Sequence, residues 1–140
     1  MKKSLFTTSL LFILTISVYC QADTISFWHV YLDNRLINEF LETTINPIIE
    51  IKTSDLNKNT FLTVEYFRDT PCSHCPTKLI IRNLKDSLIL KIDGKGTTNK
   101  LELELDRLKV ISAKAKEFSY RFYFEEKPFQ DQYLFKLILK

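Results

Sequence analysis

LELELDRLKVISAKAKE, residues 101–117, contains the two hydrophobic periods that decide the fold class. In its first half, Leu101, Leu103 and Leu105 alternate strictly with acidic residues. A period of two is typical of a β-strand that buries one face and exposes the other. The acidic residues of this stretch, Glu102, Glu104 and Asp106, are therefore expected on the solvated face of a sheet.

The second half of the same stretch changes to helical spacing. After Leu105, apolar residues recur at intervals of three or four: Leu108, Ile111 and Ala115. Asp106 is a residue type that favours the N-cap position. The sequence therefore predicts one short helix near residues 106–116.

Strand-like alternation recurs along most of the remaining chain. It is clearest in FLTVEYFR (61–68), FSYRFYF (118–124) and YLFKLILK (133–140). The side chains expected on the inward faces are Leu62, Val64, Tyr66, Phe118, Tyr120, Phe122, Phe124, Tyr133, Phe135, Leu137 and Leu139. About eight short strands rich in β-branched and aromatic residues are predicted.

Turn residues organise these strands into hairpins. Asp33-Asn34 and Lys85-Asp86 lie between strand-like segments and tolerate the left-handed backbone of tight turns. Pro47 predicts an edge strand over 45–51, because proline cannot donate to a ladder. We expect a mainly all-β chain: an antiparallel two-sheet β-sandwich of immunoglobulin-like architecture with the one helix.

The N-terminus has the order of a secretory signal. Two lysines precede an apolar run, and small or polar residues follow it. We therefore expect a signal peptide over residues 1–22, a single β-sandwich domain over 23–140, and an exported protein, periplasmic or extracellular. An alternative is a lipid anchor on Cys20. No transmembrane anchor is expected in the mature chain, since no other apolar stretch reaches the about 20 residues a span needs.

Charge argues against a nucleic-acid partner. Removal of residues 1–22 leaves 18 basic and 17 acidic residues, so the formal charge falls from +3 to +1. The two signs are interleaved, whereas nucleic-acid binding needs a basic stripe. The loop with Gly94 and Gly96 is interpreted as a turn, because it lacks the spacing of a phosphate-binding loop.

DTPCSHCPT, residues 69–77, is the stretch whose side chains could carry redox or metal chemistry. FLTVEYFRDTPCSHC resembles the strand and active-site turn of thioredoxin-like proteins. That resemblance implies Cys72 as the attacking thiol and Cys75 as the resolving one, with the His74 imidazolium stabilising the Cys72 thiolate. The resemblance ends after about 15 residues, because strand-like sequence follows where that family has a long helix.

Two further interpretations of the loop stay open, besides a free dithiol without an identified role. In an oxidising compartment the pair would close as a structural disulfide, which we take as the leading interpretation. A metal site on Cys72, His74 and Cys75 is a weaker hypothesis, although thiolates suit copper(I) or zinc. No cofactor is expected.

Other candidate residues are assigned structural roles. His29 in FWHVY is expected to lie in a strand beside Phe27 and Tyr31. Trp28, Tyr120, Phe122, Tyr123 and Phe124 are expected in the core in preference to a surface binding platform. Glu125-Glu126 is interpreted as a strand end.

Two functions follow as hypotheses. The first is an exported, non-enzymatic sandwich that binds a protein or a cell-envelope component, or serves a structural role. The alternative is an extracytoplasmic thiol–disulfide or metal-handling protein that uses Cys72-Ser73-His74-Cys75. Oligomeric state does not follow from the sequence.

Overall fold

The structure is a computed structural model that describes residues 25–140. The predicted signal peptide and Cys20 lie outside these residues. The described chain forms nine strands, one α-helix and a short 3-10 turn at Thr53–Asp55. The elements are β1 (Phe27–Leu32), β2 (Arg35–Leu41), β3 (Ile48–Ile51), β4 (Phe61–Phe67), β5 (Pro76–Asn83), β6 (Leu88–Lys95), β7 (Leu101–Glu104), α1 (Leu105–Ala115), β8 (Ser119–Glu126) and β9 (Gln132–Leu139).

Two sheets pack face to face, which confirms the predicted sandwich. One has four strands in the order β2-β1-β4-β7, and the other has five in the order β3-β9-β8-β5-β6. The expectation of wholly antiparallel pairing is wrong at one position, because β3 runs parallel to β9. Alternation reports which face a side chain takes and carries no information about strand direction, so the sequence could not reveal this pairing.

The core consists of the inward rows of both sheets. Its largest fully buried side chains are Trp28, Leu62, Leu79, Ile81, Leu103, Leu105, Leu108, Tyr120, Phe122, Leu134, Phe135 and Leu137. The Tyr66 and Phe124 rings stack across the two sheets with centroids 4.4 Å apart. Phe118 is an exception to the prediction, because it precedes β8 and is 48% exposed.

A register shift also alters the predicted inward row of β9. Phe122 pairs with Phe135, but the next residue, Tyr123, pairs with Tyr133, which leaves Leu134 as the extra residue of a bulge. Leu134 and Phe135 are consequently both buried, and Tyr133 is only half-buried.

The helix lies close to its predicted position but begins one residue earlier. α1 starts at Leu105, and Glu104, not Asp106, occupies the N-cap position. Leu105, Leu108 and Ser112 are its buried residues. Ser112 takes part in this face because its hydroxyl bonds the Leu108 carbonyl at 2.8 Å and the Tyr120 hydroxyl at 2.7 Å.

Both predicted hairpin turns are confirmed. Asp33 and Asn34 have φ values of 48° and 65° between β1 and β2, and Asp86 has a φ of 60° between β5 and β6. Pro47 and β3 lie at the edge of the five-stranded sheet, as predicted. In the described residues no helix is long and apolar enough to cross a membrane.

Candidate functional site

The two cysteines lie in a loop that crosses between the sheets. This segment, residues 68–75, is called the Cys loop; it joins β4 of the four-stranded sheet to β5 of the five-stranded sheet. At the start of β5, Thr77 pairs with Gly94 of β6 on one side and with Glu126 of β8 on the other. The Cys loop therefore lies beside the ends of β6 and β8.

Backbone hydrogen bonds attach the Cys loop to the loop after β6. The N–H groups of Gly96 and Thr97 donate to the carbonyls of Cys75 and Cys72, each at 2.8 Å. In return, the Cys72 N–H donates to the Thr97 hydroxyl oxygen at 2.8 Å. These three bonds fix the backbone of both cysteines and leave their thiols free.

Gly96 is required for this close approach. Its φ is +86°, a conformation that favours glycine, and a Cβ at this position would lie 2.9 Å from the Ser73 carbonyl oxygen. The sequence predicted a turn for the loop with Gly94 and Gly96, but Gly94 lies in β6 and the turn begins only at Gly96. Its place against the Cys loop comes from the fold.

The two cysteines are free thiols, so the predicted disulfide is not present in the structure. Instead the Cys75 backbone N–H donates to Cys72 Sγ at 2.9 Å. Both residues are half-buried. A hydrogen bond to sulfur stabilises the thiolate more than the thiol.

The pKa values of the two thiols are shifted in opposite directions. The Cys75 side chain and the backbone N–H of His74 hold the pKa of Cys72 below its usual value. Partial burial raises the pKa of Cys75 to about 11, and the Cys72 sulfur and the Glu126 carboxylate act in the same direction. The groups that lower the pKa of Cys72 are thus the Cys75 thiol and backbone N–H groups, and the His74 side chain is exposed.

Glu126 is the functional candidate that the sequence interpretation missed. It ends β8 and is only 4% exposed. Its Oε1 accepts from Arg68 Nη2 at 2.5 Å, and its Oε2 accepts from the Thr97 hydroxyl at 2.8 Å. The sequence could have indicated its burial through the alternation of the strand, because Glu126 continues the buried row of Tyr120, Phe122 and Phe124.

These side chains form one cluster, which we call the polar end: Arg68, Cys72, Cys75, Thr97 and Glu126. The donor atoms of Cys72, Cys75 and Glu126 all lie within 4.8 Å of one another. His74 is not part of this group, so the structure brings together only two of the three residues of the predicted metal site. Glu126 takes the place of the imidazole.

A small cavity borders the polar end. It has a volume of about 190 Å³, and its lining includes Arg68, Glu126 and Phe129. The Arg68 guanidinium lies over the Phe129 ring at 4.2 Å, which fixes the side chain that holds Glu126. Among the described residues, Arg68 Nε is one of two buried side-chain nitrogens without a hydrogen-bond partner.

The resemblance to thioredoxin-like proteins is limited to the strand and the turn. β5 begins at Pro76, directly after Cys75, where that family has its long helix. The lowered pKa of Cys72 therefore has local hydrogen bonds as its cause and does not involve a helix N-terminus.

The remaining sequence candidates have structural positions. His29 lies in β1 beside Phe27 and Tyr31, as predicted, and its Nε2 is 2.8 Å from Glu39. Glu102 is exposed on the outer face of β7, as predicted, whereas Asp106 lies in α1 and not on a sheet face. Trp28 is 2% exposed and belongs to the core, as expected.

A second surface feature lies far from the Cys loop in the strand order. A groove of about 770 Å³ separates β2, the edge of one sheet, from β3, the edge of the other. Ile37 and Ile48 are among its lining residues. Ile48 is 45% exposed there.

Comparison with protein-family models, with curated proteins and with solved structures finds no match to this chain.

Proposed function

We propose that this protein is an exported thiol–disulfide protein whose Cys72–Cys75 pair is oxidised to a disulfide by exchange with a partner's disulfide and is returned to the dithiol by the reverse exchange with a partner's dithiol. The observation that carries the proposal is the 2.9 Å hydrogen bond from the Cys75 N–H to Cys72 Sγ, in a loop held at both cysteine carbonyls. A structural staple has no need of an N–H group aimed at one sulfur. A nucleophilic thiolate does.

The chemistry proceeds in two exchange steps. The Cys72 thiolate attacks one sulfur of the partner's disulfide, so that a mixed disulfide forms and one partner thiolate leaves. Cys75 then loses its proton and attacks Cys72 Sγ, which releases the second partner thiolate. The protein loses two electrons and two protons, and the partner's disulfide gains them.

The reactive group is distinguished from the resolving group by its surroundings. Cys72 has donors directed at its sulfur, whereas Cys75 faces the buried Glu126 carboxylate. This assignment agrees with the roles implied by the resemblance of the Cys loop to the thioredoxin-like turn. It differs from the sequence ranking, which placed an inert disulfide first.

The test is to trap the intermediate. The full chain carrying Cys20→Ser, which removes the third thiol, is reduced and then mixed with glutathione disulfide in the presence of a chelator. Mass spectrometry should show that this Cys20→Ser protein, the parent for the variants below, first forms a glutathione adduct and then the Cys72–Cys75 disulfide. Cys75→Ser should stop at a stable adduct on Cys72, and an adduct that forms equally fast on Cys75 in the Cys72→Ser variant would overturn the assignment.

Export is part of the proposal and rests on the N-terminal sequence. N-terminal sequencing of the protein recovered outside the cytoplasm should begin at Asp23. A chain that is retained on the membrane with Cys20 acylated would replace this with the lipid-anchored alternative.

A second candidate is a non-enzymatic binding module for a protein or cell-envelope component. It is favoured by the groove between the β2 and β3 edges, because unpaired strand edges accept extended peptides. Ile48→Lys within the groove should abolish such binding and leave the thiol chemistry unchanged. The two candidates are thus separable by one substitution.

A further inference from the structure

The cluster of Cys72, Cys75 and Glu126 has the dimensions of a small metal site. In a tetrahedral zinc centre, bonds of about 2.3 Å to sulfur and about 2.1 Å to oxygen place the donors about 3.5–3.8 Å apart. The three donor atoms here already lie within 4.8 Å of one another without an ion. Side-chain rotations that move them by about 1 Å would bring them to coordination distance.

We propose that the reduced protein binds one divalent cation of the zinc class through Cys72 Sγ, Cys75 Sγ and a carboxylate oxygen of Glu126, with the fourth position open to solvent. This is a second function of the loop. It uses the same thiols as the proposed redox cycle but does not depend on that cycle.

Charge favours a divalent over a monovalent ion. Two thiolates and the Glu126 carboxylate contribute three negative charges, and the Arg68 guanidinium contributes one positive charge at 2.5 Å from Glu126. A divalent cation brings the sum to zero, whereas copper(I) would leave a half-buried negative charge. The borderline-soft zinc class also accepts mixed sulfur and oxygen ligands.

The groups around the three ligands are those that support a metal site. The Cys75 N–H donates to Cys72 Sγ, and the Thr97 hydroxyl donates to Glu126 while it accepts the Cys72 N–H. Arg68 holds the other carboxylate oxygen. Hydrogen bonds of this kind orient ligands and commonly affect metal affinity by about 10–100-fold.

The binding step is balanced without electron transfer. The cation enters, and two thiol protons leave to solvent. The disulfide form lacks both thiolates, so oxidation and metal binding exclude each other. Bound metal should therefore slow the oxidation of the pair.

The experiment is a calorimetric titration with zinc ions. The protein is the full chain carrying Cys20→Ser, reduced and freed of metal with a chelator. Adjacent glutamates provide a matched pair, because Glu125 faces Lys78 on the other side of β8. We expect one ion per chain, unchanged affinity in Glu125→Gln, and affinity reduced about tenfold or more in Glu126→Gln. Equal affinities in the two variants, or undiminished binding by the disulfide form, would overturn the proposal.

A measurement on the parent protein guards against a Glu126→Gln variant that does not fold. X-ray absorption of the zinc-loaded chain should show two sulfur and two light-atom ligands. Four sulfur ligands would mean that two chains share the ion, which contradicts the role of Glu126.

The two proposals fail separately. Glutathione exchange is measured with chelator present and zinc binding with the pair held reduced. Loss of exchange with intact zinc binding rejects only the redox cycle, and the converse result rejects only the metal site.

Discussion

The inward row of β8 is aromatic in the middle of the sandwich and acidic at its end. Phe122 is fully buried and stacks on Phe135 with ring centroids 4.7 Å apart. Four residues further along the same row, Glu126 is 4% exposed and contacts Arg68 and Thr97. One alternating strand thus contributes to a hydrophobic core and to a polar cluster of a different chemistry.

This difference separates what stabilises the fold from what serves the site. Burial of Phe122 is favourable by itself, because it removes apolar surface from water. Burial of Glu126 is costly and requires a partner of opposite charge. A cluster that costs free energy in the native state is where we expect function.

Truncation of Phe122 in the hydrophobic core or of Glu126 in the polar end should have the largest effect on the free energy of unfolding. Phe122→Ala and Glu126→Ala should each destabilise the protein by about 3–5 kcal/mol, the first through a cavity and the second because Arg68 loses its buried partner. Urea unfolding measures both. Glu125→Ala is the matched control and should cost about 1 kcal/mol or less, since its ion pair with Lys78 is partly exposed.

Replacement of both members of the Arg68–Glu126 ion pair separates their contribution to stability from their contribution to zinc binding. The double variant Arg68→Leu, Glu126→Leu should lie within about 1 kcal/mol of the parent, because a buried ion pair contributes little more than apolar side chains of similar size. It should nevertheless lose zinc binding. A large loss of stability in the double variant would mean that the polar end holds the sandwich together.

Gly96→Ala probes the attachment of the Cys loop. The added methyl group meets the Ser73 carbonyl, and the positive φ disfavours alanine. We expect a loss of about 2 kcal/mol in the free energy of unfolding, with Lys95→Ala as the neighbouring control. An unchanged midpoint in Gly96→Ala would show that the loop is free to move away.

Thiol reactivity should differ between the two cysteines. Cys72, measured in Cys75→Ser, keeps the N–H of residue 75 that is directed at its sulfur. Cys75, measured in Cys72→Ser, keeps its partial burial and the Glu126 carboxylate, which raise its pKa. At pH 8 iodoacetamide should modify Cys72 about tenfold faster, and the rate for Cys75 should continue to rise at higher pH. Equal rates would remove the distinction between attacking and resolving thiols.

His74→Ala should have the smallest effect. The side chain is exposed and lies outside the donor cluster. We expect a change below about 0.5 kcal/mol in stability and unchanged zinc affinity. A loss of zinc affinity would restore the histidine of the sequence-based metal hypothesis.

The same contrast explains what the sequence could predict. The sandwich, the helix and the hairpins at Asp33-Asn34 and Lys85-Asp86 follow from local periodicity and turn chemistry. The parallel pairing of β3 with β9 does not, because strand order depends on contacts distant in sequence. The bulge at Leu134 is likewise invisible to a period of two.

The site was predictable only in part. Cys72 and Cys75 are conspicuous because they are close together in sequence, whereas Thr97 and Glu126 reach them from two other segments, and Arg68 of the Cys loop joins them through Glu126. Periodicity places Glu126 on an inward face but does not identify its partners. The structure supplies the missing contacts.

The reduction potential of the Cys72–Cys75 pair tests the central claim most directly. It is measured by equilibrating the full chain carrying Cys20→Ser with glutathione buffers and a chelator. An exchanging pair is predicted to have a potential between about −270 and −120 mV, the range of catalytic pairs. A potential below about −300 mV would contradict the account and identify the pair as an inert structural disulfide.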